Sequence, residues 1–96
     1  MAAKQKKFSP KRNEIEFNLL APDAQSVYLS GDFNHWDPSS HPLERTSEGF
    51  WKIYLNLDPG PYQYRFLVDG QWHNDPGCQS CIPNAFGTLN CLKVIE

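Results

Sequence analysis

The sequence contains no segment with helical periodicity over ten or more residues. It also lacks a long apolar run, and the charged residues at the N-terminus are not followed by an apolar stretch. Neither a signal peptide nor a membrane-spanning helix is therefore expected. These absences favour an all-β protein with no membrane partner, either cytoplasmic or cut from a larger protein.

An excess of positive charge is also missing. The 96 residues carry a formal net charge of −2, whereas a nucleic-acid-binding domain needs a basic face to neutralise phosphates, so no nucleic-acid partner is expected. The basic residues that cluster are Lys4, Lys6, Lys7, Lys11 and Arg12. We interpret residues 1–11 as a disordered basic tail, with an anchor for an acidic partner as the alternative. Residues 12–96 then form one folded domain.

The sequence has only three cysteines, and an odd number argues against the disulfide framework of a small secreted protein. Cys78 and Cys81 form a C-x-x-C pair, and Cys91 follows. A zinc site would need a fourth ligand, for which His73 is the nearest candidate, but the spacing is not that of a zinc ribbon. We expect free thiols and no metal; a local disulfide and a metal site are the alternatives.

Motifs for covalent or phosphate chemistry are absent as well: the sequence has no nucleophile elbow and no phosphate-binding loop. The spacing of the carboxylates leaves glycoside hydrolysis open. A hydrolase needs a deep cleft, however, and a chain this short has little room for one. We therefore expect a binding function, with no catalytic residue and no cofactor.

Strand signals are present in their place, separated by clusters of Gly, Pro, Asn and Asp. The alternation predicts strands at 13–20, 27–30, 43–45, 50–57, 62–69, 71–73 and 88–95. Residues 74–87 are interpreted as a long loop. About seven short strands at hairpin spacing, with no helix for parallel crossovers, predict an immunoglobulin-like antiparallel β-sandwich.

Aromatic residues make up 14% of the chain, which is more than a small core easily hides. Trp51 falls on the apolar face of a predicted strand and is expected in the core. Trp36 and Trp72 lie among polar residues, so we expect both indoles on the surface, with loop-capping side chains folded back on the sandwich as the alternative. A flat aromatic face can cover the apolar C–H face of a sugar ring, which makes a carbohydrate site the leading interpretation.

Three segments then resemble one known family. Residues 27–36 are similar to the opening motif of the glycogen-binding domain of AMP-activated protein kinase β subunits. Residues 62–72 are similar to its central hairpin, and residues 75–76 followed by 83–90 are similar to its closing segment. This family is carbohydrate-binding module family 48, which also supplies N-terminal domains to isoamylases and branching enzymes. The resemblance covers residues 13–95.

The resemblance implies a set of sugar-contacting residues: Trp36, Arg65, Trp72, Phe86, Thr88 and Asn90. Trp36 and Trp72 match the family's two stacking tryptophans. Arg65 stands where the family typically has lysine, and Phe86 stands where the kinase subunits have leucine. Alternatives stay open for three of them: an ordinary surface ion pair for Arg65, a turn residue for Thr88 and a plain strand residue for Asn90.

By this resemblance, the expected function is non-catalytic binding of α-1,4-glucan, such as glycogen, starch or a maltooligosaccharide. Two alternatives are kept. One is a protein-interaction scaffold in a kinase-type regulatory complex. The other is an accessory domain attached to the catalytic domain of a glucan branching or debranching enzyme. The C-x-x-C pair departs from the family pattern, and an oxidised pair would staple the loop that presents Phe86.

Overall fold

A computed structural model describes residues 14–78 and 80–96 of the chain. The described residues form eight strands: β1 (Glu14–Leu20), β2 (Val27–Gly31), β3 (Glu44–Arg45), β4 (Phe50–Asn56), β5 (Gly60–Val68), β6 (Gln71–His73), β7 (Cys81–Pro83) and β8 (Leu89–Ile95). A single 3₁₀ turn, Asp32–Asn34, follows β2. No helix in this part of the chain is long and apolar enough to cross a membrane.

The strands pair into two antiparallel sheets, as the sequence predicted. One sheet has the order β1-β4-β3, and the other has the order β2-β5-β8-β7 with β6 also paired to β5. The predicted β-sandwich class is therefore confirmed. The predicted basic tail, residues 1–11, lies outside the described residues.

The core lies between the inner faces of the two sheets. In β1, Phe17 and Leu19 are buried while their neighbours are exposed, and in β5 the buried pair is Tyr64 and Phe66. Phe17 meets the Tyr64 ring edge-on across the two sheets, with 5.1 Å between ring centroids. Trp51 is buried as predicted. The period-two alternation of the sequence is thus the inside–outside pattern of the sandwich.

The interpretation of residues 74–87 as one long loop was wrong, because β7 lies inside that segment and pairs with β8. Pro83 made the segment look like a loop, since proline cannot donate to a strand ladder. β7 is an edge strand with β8 on one side only, and proline is tolerated at such an edge. The segment is therefore a β7–β8 hairpin preceded by a shorter loop.

That shorter loop is fixed to the sandwich through Asp75. The buried Tyr64 hydroxyl donates to Asp75 Oδ2 at 2.6 Å, and Asp75 Oδ1 accepts from the backbone N–H of Gly77 at 2.8 Å. Burial, followed by the hydrogen bond to Asp75, raises the pKa of Tyr64 above its ordinary value. The folded protein therefore holds Tyr64 as a neutral donor.

This hydrogen bond predicts a loss of stability in alkali. The stabilisation is fully present below the ordinary tyrosine pKa of about 10, because there both states hold the proton. Above it the unfolded state releases the proton while the folded state keeps it, so the free energy of unfolding is expected to fall with rising pH. Chemical denaturation at neutral and alkaline pH measures this. Tyr64→Phe should lower the free energy of unfolding at neutral pH by about 1–3 kcal/mol. Above pH ~10 the free energy of unfolding of this variant should fall less steeply than that of the wild-type protein. Parallel pH curves for the two proteins would contradict the assigned role of Tyr64.

Candidate functional site

The first part of the candidate site is the tight turn after β2. A Cβ atom on Gly31 would lie 2.5 Å from the carbonyl oxygen of Gln63, so only glycine allows the approach to β5. Asn34 Oδ1 accepts from the N–H of Gly31 at 3.0 Å. His35 and Trp36 follow with φ of 56° and 60°, a left-handed conformation that is uncommon for such residues. The turn thus directs Trp36 by local geometry rather than by core packing.

Asp32 fixes the Trp36 side chain to the sheet. Its Oδ1 accepts from the indole Nε1–H of Trp36 at 3.0 Å, and its Oδ2 accepts from the backbone N–H of Gln63 at 2.8 Å. One carboxylate therefore joins the indole to β5, and Trp36 is partly buried as a result. The sequence predicted an open surface indole, whereas the structure shows one that is held at its polar edge.

Trp72 is positioned by the hairpin between β5 and β6. Asp69 and Gly70 both have positive φ, 49° and 84°, as a two-residue hairpin turn requires. Asp69 Oδ1 also accepts from the backbone N–H groups of Gln25 and Ser26, both at 2.9 Å, which fixes the turn to the neighbouring loop. Trp72 lies on β6, opposite Leu67 of β5, and its side chain is 44% exposed.

The two indoles lie against each other, with 6.5 Å between ring centroids and 64° between ring planes. The Arg65 guanidinium carbon lies 6.0 Å from the Trp72 ring centroid, on the margin of a cation–π contact. The folded chain therefore brings together three of the residues that the family resemblance singled out, although 36 and 72 are far apart in sequence.

Arg65 continues the site toward the β7–β8 hairpin. Its Nε donates to Asn74 Oδ1 at 2.7 Å, and its Nη1 donates to Thr88 Oγ1 at 3.4 Å. Both partners are neutral, so these contacts do not make the surface ion pair that was the alternative reading of Arg65. The guanidinium instead bonds both to the loop after β6, through Asn74, and to the turn before β8, through Thr88.

Asn84 organises the far side of the site. Its Oδ1 accepts from the backbone N–H groups of Phe86 at 2.9 Å and Thr88 at 3.2 Å, and its Nδ2 donates to Thr88 Oγ1 at 2.8 Å and to Asn90 Oδ1 at 2.9 Å. Asn90 Nδ2 in turn donates to Gln63 Oε1 at 3.1 Å. Thr88 and Asn90 are therefore members of one polar network rather than isolated turn and strand residues.

Phe86 lies at the tip of the turn that Asn84 closes, and its side chain is 90% exposed. Gly87 has a φ of 82°, which lets the chain return to β8. A large apolar side chain exposed to this degree has no structural role in the described part of the chain. The structure joins Phe86 to the network through its backbone only.

Sequence reasoning missed four members of this site: Asp32, Gln63, Asn74 and Asn84. Asn84 had a local signal, because an asparagine two residues before the tip of a Gly-containing turn commonly accepts from the turn's N–H groups. Asp32 and Gln63 gave none, since their bond joins residues 31 positions apart. Asn74 likewise shows its role only when β6 has been folded onto β5.

The chemistry of this surface is apolar faces bordered by amides, a hydroxyl and one guanidinium. Two clefts of about 440 and 390 Å³ lie elsewhere, lined around Arg45 and Tyr54 in one case and around Tyr64 and Cys78 in the other. No group of three or more His, Cys, Asp or Glu side chains in the described residues could hold a metal ion. The arrangement suits a neutral, hydroxyl-rich ligand that lies on an open surface.

Comparison with known proteins agrees with this fold. A family model described as the glycogen recognition site of AMP-activated protein kinase matches residues 14–96. The match covers every strand, so the chain belongs to this family of glycogen-recognition domains.

Its relatives include β subunits of that kinase. The chain is 47% identical over 72 residues to 5'-AMP-activated protein kinase subunit beta-1 of Sus scrofa, covering 75% of this chain and 56% of the relative. It is 36% identical over 107 residues to the beta-1 subunit of Rattus norvegicus, covering 99% of this chain and 38% of the relative. The chain thus spans less than two thirds of the length of either curated relative.

The two hydrogen bonds that Asp32 accepts predict that it holds the Trp36 indole in place. Asp32→Ala should speed hydrogen exchange of the Trp36 indole N–H and lower the free energy of unfolding by about 1 kcal/mol, because two charge-assisted hydrogen bonds are lost at a partly exposed site. NMR of the indole resonances, assigned with Trp36→Phe, measures the exchange, and urea denaturation measures the stability. Asp58→Ala, at an exposed turn, is the matched control. An unchanged exchange rate in Asp32→Ala would show that the carboxylate does not hold the indole.

Proposed function

We propose that this chain binds α-1,4-linked glucan, such as glycogen or starch, without chemically changing it, on the surface formed by Trp36 and Trp72. The observation that carries the proposal is the contact between the two indoles, 6.5 Å apart at their centroids and bordered by Arg65. Membership of a glycogen-recognition family supports the same ligand.

The ring geometry favours a curved glucan over a flat one. Each indole offers a face to the apolar C–H side of a glucose ring. Because the two ring planes differ by 64°, they suit a chain whose successive sugar faces turn, as in α-1,4-glucan. A flat ribbon such as cellulose presents parallel faces and would need rings that are nearly coplanar.

The polar border supplies the hydrogen bonds that orient the sugar. The Nε and Nη1 groups of Arg65 make the bonds to Asn74 and Thr88, and Nη2 makes neither of them. In this proposal Nη2 donates to a sugar hydroxyl. Thr88, just before β8, presents a hydroxyl and Asn90, on β8, presents an amide, and Asn84 bonds to both. In this proposal Phe86 extends the apolar surface from the tip of the hairpin.

Binding of short oligosaccharides is expected to be modest, on the order of micromolar to millimolar, because an open surface recovers little beyond the entropy lost on association. A glycogen particle offers many chain ends, so one site meets many equivalent ligands on the same particle. The site is therefore suited to holding this domain reversibly on glycogen.

Removal of Trp72 tests the site. Trp72→Ala should abolish retention on an amylose column and the fluorescence response to maltoheptaose, because half of the stacking surface is lost. Tyr54→Ala is the matched control, since Tyr54 is an exposed aromatic residue, at 53%, on the other sheet. Thermal unfolding checks that both variants fold. If folded Trp72→Ala binds normally, the proposed surface is wrong.

Salt dependence tests the nature of the ligand. A neutral glucan releases no counterions when it binds, so the dissociation constant for maltoheptaose should change by less than about twofold between roughly 50 and 500 mM NaCl. Isothermal titration calorimetry at both concentrations measures this. A steep loss of maltoheptaose affinity with salt would contradict binding through the neutral indole faces and amides.

A second function is favoured by the names of the relatives, which are subunits of a kinase. Under this alternative the domain is an interaction scaffold, and a protein partner occupies part of its surface. A pull-down from cell extract with and without a competing maltooligosaccharide separates the two functions: a partner that the sugar does not displace would bind away from the indole pair.

A further inference from the structure

Three thiols that the proposed function does not use meet beside β7. Cys78 Sγ lies 3.8 Å from Cys81 Sγ. Cys91 is buried on β8, where its register partner is Cys81. All three are free thiols in the structure. Cys81 is exposed and Cys78 is partly buried, so a reagent in solvent reaches Cys81 first.

The backbone on both sides of the Cys78–Cys81 pair is anchored. The N–H of Cys78 donates to the carbonyl of Asp75 at 3.1 Å, and the N–H of Leu92 donates to the carbonyl of Ser80 at 2.9 Å. A disulfide needs its sulfur atoms about 2.0 Å apart. Rotation of the two side chains can close most of the remaining distance between the sulfur atoms, because these atoms already lie in van der Waals contact.

We propose that Cys78 and Cys81 form a thiol–disulfide exchange site that a low-molecular-weight disulfide, such as oxidised glutathione, converts to a local disulfide. The Cys81 thiolate attacks one sulfur of the reagent, forms a mixed disulfide and releases one thiolate. The Cys78 thiolate then attacks Cys81 Sγ, breaks the mixed disulfide and releases the second thiolate. Two protein thiols and one reagent disulfide thus give one protein disulfide and two reagent thiols, and two electrons pass to the reagent.

Cys91 does not take part in this exchange. It is fully buried, and its sulfur accepts from the backbone N–H of Asp75 at 3.1 Å. Cys91 instead packs beneath the pair as part of the core, where the protein shields it from reagent.

The exchange is expected to be slow at neutral pH and faster in mild alkali. Burial raises the pKa of Cys78, and the hydrogen bond to Cys78 raises the pKa of Cys81, so few thiolates form near neutrality. Besides Cys81, the ionisable groups around Cys78 are Asp75, Tyr64, Cys91 and Lys93. Of these, the Asp75 carboxylate opposes a second negative charge at Cys78, which agrees with the direction of the shift.

The disulfide would act on the hairpin that carries Phe86. β7 starts at Cys81 and leads directly into Asn84. Oxidation ties the start of this edge strand to the loop that Asp75 holds, and it removes conformations from the unfolded chain. The oxidised protein is therefore expected to melt at a higher temperature. This inference concerns the thiols and does not depend on glucan binding.

The experiment incubates the whole folded chain with mixtures of oxidised and reduced glutathione at pH 7 and in mild alkali, quenches it with acid, and measures intact mass and cysteine peptides. The expected product has lost two hydrogens, carries no glutathione and contains a Cys78–Cys81 disulfide. Three results would overturn the proposal: persistent glutathionylation of the wild-type chain, a disulfide that includes Cys91, or no oxidation in excess oxidised glutathione.

Two variants separate the roles of the cysteines. Cys78→Ser should stop at a stable glutathione adduct on Cys81, because the second thiolate is missing. Cys81→Ser should react much more slowly, since the exposed thiol is gone. Both substitutions lie in a loop or at an edge strand, and melting curves check the fold. Equal rates for the two variants would contradict the assigned order of attack.

Discussion

The site depends on how β5 shares one of its edges between two partners. β8 pairs with β5 as far as Tyr64, and β6 pairs with it from Phe66 onward. Arg65 is the residue between them, and its side chain bonds to Asn74 after β6 and to Thr88 before β8. The other edge of β5 pairs with β2, which leads into the turn that carries Trp36. One strand therefore positions both indoles and the polar network.

Side-chain hydrogen bonds to the backbone hold these parts in place. Asp32 and Asn84 each bind two or more groups that would otherwise be free to move. In the proposed function, a shallow surface has little contact area with which to offset the entropy of binding, so ordering the loops before the ligand arrives would contribute directly to affinity. The Asp32 bond accompanies the partial burial of Trp36, because it ties the indole nitrogen to a carboxylate that is itself bonded to β5.

The sequence predicted the parts of this structure that follow from period and local turns. The alternation in β1, β4 and β5 gave the inner and outer faces, and Asp69-Gly70 gave the hairpin that presents Trp72. β7 was missed because a three-residue strand ending in proline has no period to detect. The bond from Asp32 to Gln63 and the angle between the indoles were beyond prediction, since alternation tells which face a residue occupies but not how near it lies to another strand.

The planar guanidinium of Arg65 suits an arrangement with two neighbouring neutral partners. A guanidinium has donors in a fixed plane, so it can bond to Asn74 and Thr88 at once and still has further N–H groups. An ammonium group has three donors but they sit on one atom at the end of a flexible chain, so it would not hold these two partners in one fixed plane. Arg65 thus couples the loop after β6 to the hairpin of Phe86, and two neutral side chains fix the position of its guanidinium.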